Sequence, residues 1–270
     1  MKRNMSLSLQ HCLQGNKGES VALKWKGLPK PSDLQPFIGM ASVLLSRTIF
    51  SMSAYTLITG VATAQGTVIA ASHQVCLQLF WFLSYFPEPL SVSAQSLIAR
   101  DRDSRSRVLL LTRCIAGAAA ILGLTIAGAC AGLFVFSAGA FTPDLLIAQT
   151  MQSVAVPAFT ALVLCAIAMC LDGISIGSND FDHLPAVNLA GLACTVGWLQ
   201  WCTTQGLGLP GIWMGMVVMF GVRLAVHLLH HLGTHSNTSV VAEAFGWRNR
   251  ARKTARGIQS LPMPVLVTGS

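Results

Sequence analysis

Charge is the commodity this sequence lacks. Only 10% of its 270 residues are Asp, Glu, Lys or Arg, against about 25% in an ordinary soluble domain. The scarcity is also uneven: residues 48–87, 114–143, 145–171 and 183–222 contain no charged side chain at all. Cysteine is present eight times but never as Cys-x-x-Cys, the spacing that most simply signals a metal or redox site. Together these shortages exclude a disordered chain, a disulfide-rich secreted module and a nucleic-acid-binding domain.

What fills the charge-free windows is apolar. Hydrophobic residues make up 53% of the chain and its mean hydropathy is +0.59. Each window is long enough to cross a hydrocarbon core of about 30 Å, which takes roughly 20 helical residues. In lipid the backbone must satisfy its own hydrogen bonds, so such runs are helices; a barrel would need strands of about 10 alternating residues, and none is seen. The sequence therefore predicts an all-α, polytopic membrane protein with six transmembrane helices, at about 38–64, 72–99, 108–136, 145–171, 185–204 and 211–232. A polar, basic segment (1–37) precedes this six-helix region (38–232), and a basic, disordered tail (233–270) follows it. The opening segment has no apolar core of the kind a secretory signal requires.

The formal net charge of +8 is concentrated in the first thirty residues, around Arg100–Arg113, and at Arg248–Arg256. The opposite connections, 65–71, 137–143 and 205–210, have no Lys or Arg. By the positive-inside rule, an even number of spans puts both termini on the cytoplasmic or equivalent, for example stromal, side, together with the loop at 178–183. The run Arg248-Asn249-Arg250-Ala251-Arg252-Lys253 is expected to meet anionic headgroups rather than nucleic acid. Seven of the cysteines fall in or beside the spans, where a small polarizable packing residue is the expected role. His227, His230 and His231 stand at helical spacing near the inner end of the last span. The pair His227/His231, at i and i+4, suits a metal, but no carboxylate or cysteine is near in the sequence to complete a set, so interfacial histidines and no metal site are expected.

An ionisable side chain buried among apolar helices costs at least a few kcal/mol and is a functional candidate by default, and three such residues, in or at the end of the spans, stand out. Arg47 is about ten residues, roughly 15 Å, into the first span. Glu88 lies between Pro87 and Pro89, which remove backbone donors and should kink or break the second helix; broken helices at membrane depth line cavities, and a carboxylate there can take up and release a proton. Asp172 opens Asp172-Gly173-Ile174-Ser175-Ile176-Gly177-Ser178-Asn179-Asp180. Its glycines at i and i+4, like Gly128/Gly132 and Gly211/Gly215, allow a neighbouring helix to come close. A purely structural reading stands beside each: Arg47 neutralising Glu88 or Asp172, and Asp172 capping a helix end at the inner interface.

Several stretches resemble one transporter family. Ser72-His73-Gln74-Val75-Cys76-Leu77-Gln78 followed by Leu90-Ser91-Val92-Ser93-Ala94-Gln95-Ser96-Leu97-Ile98-Ala99 is similar to the corresponding region of multidrug and toxic compound extrusion (MATE) transporters, in particular a DinF-like branch with plant and algal plastid members. Leu44-Leu45-Ser46-Arg47-Thr48, the Asp172–Asp180 stretch, and Gly211-Ile212-Trp213-Met214-Gly215 leading to Arg223 agree in order. The resemblance implies one six-helix lobe of a two-lobe fold, the second of the pair, with Pro31-Ser32-Asp33-Leu34-Gln35 similar to the inter-lobe connection. It implies an antiporter, not an enzyme, exporting small organic and often cationic compounds in exchange for H+ or Na+, with no cofactor beyond that ion. Glu88, Arg47 and Asp172 are the implied coupling candidates, with Gln74 and Gln95 as polar cavity residues. The implied partners are the bilayer and a second six-helix lobe or a second copy. Two other readings stand beside it: a non-transporting assembly or regulatory subunit derived from such a lobe, and a membrane-embedded metalloenzyme using His227 and His231.

Overall fold

A computed structural model describes residues 31–232 and 240–245; most of the basic opening segment and most of the tail lie outside these. The described residues form helices: α1 (Pro31–Ala64), α2 (Thr67–Ser84), α3 (Pro87–Arg100), α4 (Arg105–Phe136), α5 (Ala138–Phe141), α6 (Leu145–Ser153), α7 (Ala155–Gly177), α8 (Leu184–Gln205), α9 (Gly208–Leu232) and α10 (Val240–Ala244). The chain divides after Ser42 into two units. The first includes the opening turns of α1, where Ser42 Oγ donates to the Gly39 carbonyl at 2.8 Å. Everything below concerns the unit that begins at Val43.

Two of the expected spans are broken. The chain turns at Tyr85-Phe86 between α2 and α3, because Pro87 and Pro89 cannot donate to the preceding turn. Phe86 N and Glu88 N fall back on three-residue bonds to Leu83 O (3.3 Å) and Tyr85 O (3.2 Å). The span expected at 145–171 divides at Val154 into α6 and α7. Pro157 supplies the reason: it lacks the N–H that the Ser153 carbonyl needs and its ring crowds that carbonyl. Asp144 caps α6, its carboxylate accepting from Leu146 N at 2.8 Å and Ile147 N at 3.4 Å, as an N-cap carboxylate should.

Five stretches are long and apolar enough to cross a membrane: Ala41–Ala64, Thr67–Arg100 (α2 and α3 together), Arg105–Phe136, Ala155–Gly177 and Gly208–His231. The sixth expected span, at 185–204, is not among these stretches of the described residues. The helix at 184–205, α8, has the length at 22 residues, but Asn188, two glycines, three threonines and two glutamines dilute its apolar content.

At the centre stands α7, whose apolar window is 61% buried. It packs against α4, α3 and α9, and α9 packs in turn on α8. Gly173 and Gly177 bring α3 close: a Cβ on Gly173 would stand 2.5 Å from Ser91 O, and one on Gly177 3.0 Å from Gln95 O. Gly211 and Gly215 similarly face Cys202 and Leu199 of α8, whereas Gly128 and Gly132 meet nothing within 4 Å. Trp213 is fully buried, with Phe80, Phe134 and His73 edge-on around it at 5.7, 6.3 and 5.9 Å. Large apolar side chains such as Phe136 (88% exposed) and Leu145 (71%) point outward, as lipid-facing residues do.

Within the expected tail, the described residues 240–245 include a helix. Val240, Val241, Ala242 and Ala244 of α10 are buried, Val240 and Val241 in a cluster with Val108 and Ile115 of α4. Arg105 Nη2 pairs with Glu243 at 2.6 Å and Arg113 donates to the Ala244 carbonyl. At the same end Arg102 Nη2 donates to the Gly177 carbonyl at 3.1 Å, where a cation favours the negative end of α7. The basic α3–α4 loop and the α7–α8 connector thus share one end of this unit.

Candidate functional site

Asp172 sits five residues from the end of α7 with no solvent exposure. Its Oδ2 accepts from Arg223 Nη2 at 2.8 Å and from Arg47 Nη1 at 3.1 Å, and its Oδ1 lies 2.8 Å from His227 Nε2. Arg223 and His227 are four apart on α9, hence on one face; Arg47 reaches in from α1. A buried carboxylate is tolerated only when paired and hydrogen-bonded, and this one has three partners. Gly191 of α8 makes room for the arginine: a Cβ there would lie 3.1 Å from Arg223 Cγ. The guanidinium carbon of Arg223 also stands 5.5 Å from the centre of the Phe220 ring.

Of the residues singled out from sequence, Arg47 and Asp172 are therefore brought into direct contact. Arg223 was not singled out as a site residue, although an arginine inside the last apolar helix was itself a signal, and His227 was weighed only as a metal ligand with His231. Two arginines face one carboxylate here, so the group carries a surplus positive charge when His227 is neutral.

Glu88 opens α3 just after the break and is partly exposed. It lines a cavity of about 510 Å³ together with Arg47, Arg223, Tyr55, Trp81 and Tyr85. Among the described residues no ion pair involves Glu88. A second cavity, of about 720 Å³, lies between α1 and α2; Gln74 lines it, and Tyr55 and Trp81 line both. Those two rings meet edge-on at 5.5 Å. Gln95 lines neither cavity. Its backbone packs on Gly177 at the opposite end of α3 from Glu88.

Beneath Asp172 the histidines are gathered more closely than their spacing implied. Helix α7 ends in a Schellman turn, with Asp180 N donating to Ser175 O (2.8 Å), Asn179 N to Ile176 O (3.1 Å), and Asn179 at φ +64°, a left-handed conformation asparagine tolerates. The turn delivers Asp180 and His183 to α9. His183 Nε2 lies 3.2 Å from His227 Nδ1, its ring stacks on His230 at 3.7 Å, and His230 Nε2 is 3.0 Å from Asp180 Oδ1. The sequence argument that nothing stands near enough to join His227 and His231 thus fails: His183 and Asp180 arrive from the connector. Burial, followed by the neighbouring His227 and His230 rings, lowers His183 from 6.5 to about 4, so its ring is neutral at physiological pH. Among the described residues the cysteines are free thiols, five of the seven buried.

No protein-family model matches the chain. Among curated proteins it is similar to Protein DETOXIFICATION 47, chloroplastic, of Arabidopsis thaliana, at 28% identity over 74% of this chain and 38% of that protein. It is also similar to Protein DETOXIFICATION 45, chloroplastic (24% identity, 70% and 34%), and Protein DETOXIFICATION 43 (28%, 72% and 38%), both from Arabidopsis thaliana. The chain thus spans little more than a third of the length of these relatives. Among solved structures it superposes on an outward-facing multidrug resistance MATE family transporter of the MOP superfamily, with a TM-score of 0.65 at 15% identity, over 74% of this chain and 45% of the other. A MOP superfamily transporter from Pyrococcus furiosus gives 0.64 at 15% identity, over 73% and 44%.

Proposed function

We propose that this chain, a partial lobe of the MATE fold, forms one wall of the substrate cavity of a membrane antiporter that exports small organic, cationic compounds in exchange for H+ or Na+. The observation that carries this reading is the contrast between its two intramembrane carboxylates. Asp172 is committed to two arginines and His227, whereas Glu88 opens into a cavity beside two arginines and has no ion-pair partner among the described residues. A carboxylate that is free to exchange its partner is what ion coupling requires. The aromatic lining, Tyr55, Trp81, Tyr85 and Phe220, suits a flat or cationic guest through ring faces. In this reading Glu88 is the coupling group, Arg47 and Arg223 balance it, Asp172 holds both arginines in place, and Gln74 is a polar contact in the adjoining cavity.

The likeness to less than half of each transporter supports a second lobe, or a second copy of this chain, as the opposite wall. Exposed apolar residues on α1, such as Leu45 (61%) and Ile49 (52%), suit either lipid or such a partner. The clustering of basic residues supports both termini on the cytoplasmic or stromal side, with α8 crossing alongside α9.

The test is exchange of a cationic dye against an imposed proton or sodium gradient in proteoliposomes holding the chain, alone and with a co-expressed first lobe. Gradient-driven dye movement should fall at least tenfold in Glu88→Gln. Equal movement in the two proteins would remove Glu88 from the coupling role. No gradient-driven movement by the wild type in either arrangement would overturn the transport reading.

A further inference from the structure

The arrangement of His183, His227 and His231 reads as the donor set of a metal. One coordinating atom from each lies within 4.8 Å of the other two. His183 Nε2 and His227 Nδ1 are 3.2 Å apart. Two imidazole nitrogens on a tetrahedral zinc, each about 2.0–2.1 Å from the ion, are separated by roughly 3.3 Å, so this edge of the tetrahedron is already set.

The far sides of two of the rings, His227 and His183, turn toward carboxylates. His227 presents Nε2 to Asp172 Oδ1 at 2.8 Å. With the Asp172 carboxylate facing Nε2, that nitrogen is the one that donates, and Nδ1 carries the lone pair, aimed at His183. On His183 the remaining nitrogen, Nδ1, is 3.8 Å from Asp180 Oδ1. Metal-binding histidines characteristically turn their second nitrogen to a carboxylate, which fixes the tautomer and the ring.

Without an ion, the tautomers conflict. His227 Nδ1 needs a donor, so His183 must hold its proton on Nε2. That leaves His183 Nδ1, a buried atom with no hydrogen-bond partner, turning a lone pair toward the Asp180 carboxylate. The neutral ring has only one proton to offer. An ion between the two rings removes the conflict: Nε2 becomes a ligand and the His183 proton moves to Nδ1, where it faces Asp180. Both changes occur within the ring, and no proton is gained or lost.

We infer that His183, His227 and His231 form a binding site for a zinc-class divalent transition metal, held from behind by Asp172 and Asp180, which pins the α7–α8 connector to the end of α9. Three imidazoles and no thiolate suit zinc, cobalt, nickel or copper over magnesium or calcium. The more open Asp180 and His230, with side chains 35% and 31% exposed, provide the entry path, while His227 and His231 are buried. The fourth position falls to water.

The inference goes beyond transport and is tested without it. Full-length protein in detergent, stripped with EDTA, is titrated with Co2+ at pH 7 and then with competing Zn2+. About one equivalent should bind, with the intense visible bands of four-coordinate cobalt, and His183→Asn and His231→Gln should each weaken binding at least tenfold. X-ray absorption of the zinc-loaded wild type, which needs no variant to fold, should show imidazole scatterers at about 2.0–2.1 Å. Absence of stoichiometric cobalt, a purely six-coordinate oxygen shell, or affinity unchanged in both variants would each overturn the site.

Discussion

Arg223 and Asp172 meet at 2.8 Å between α9 and α7, the arginine side chain 6% exposed and the carboxylate not at all. Arg47 joins the same carboxylate oxygen from α1 at 3.1 Å. One buried carboxylate therefore ties three helices together, and the expected consequence is structural before it is functional.

Asp172→Asn should leave two arginines without their counter-charge. Removing one partner of a buried pair costs about 3–5 kcal/mol, so the variant should melt many degrees below the wild type in detergent. Pairing it with Arg223→Met should recover part of the loss. Melting of Asp172→Asn alongside the wild type would show that the three-way junction does not hold the helices.

Glu88→Gln should behave in the opposite way. With no ion pair to lose among the described residues, its melting temperature should stay within the range of an ordinary surface change, about 0.5 kcal/mol, even as coupled transport falls. A large destabilisation would mean that Glu88 has a structural partner after all.

The glycines make a matched comparison. A methyl on Gly173 would press on Ser91 backbone oxygen at 2.5 Å, so Gly173→Ala should force α3 and α7 apart and cost about 1–3 kcal/mol, the usual range for overpacking. Gly128 meets nothing within 4 Å, so Gly128→Ala should be neutral or stabilising by up to about 1 kcal/mol through helix propensity. Thermal melts of the two variants side by side decide it.

Acid should loosen the histidine cluster in metal-free protein. His183 is lowered to about 4 from 6.5, so between these values the unfolded chain binds a proton that the folded chain does not. Stability is then retained above about pH 6.5 and falls as pH drops toward 4. Melting temperatures measured from pH 7.5 to 4.5 should show a steeper decline for the wild type than for His183→Asn, which has no proton to take up there; parallel curves would contradict the assignment.

The sequence by itself determined where apolar helices lie, that the second is broken at Pro87-Glu88-Pro89, and that Arg47, Glu88 and Asp172 stand within apolar stretches. These follow from local properties: composition over some twenty residues, and proline's missing donor. Pro157 held an equally local signal for the break at Val154, but a window read as uniformly apolar concealed it. Only the tertiary structure decided which charges meet. Asp172 is 125 residues from Arg47 and 51 from Arg223, and His183 is 44 from His227. Such contacts depend on how each helix is rotated and slid against its neighbours, which glycines such as Gly173 and Gly191 permit but residue spacing does not encode. The same dependence placed Gln74 beside the cavity between α1 and α2 and the Gln95 backbone against Gly177. It also placed three histidines expected at an interface in a cluster completed by Asp180 and His183 from a turn in another part of the chain.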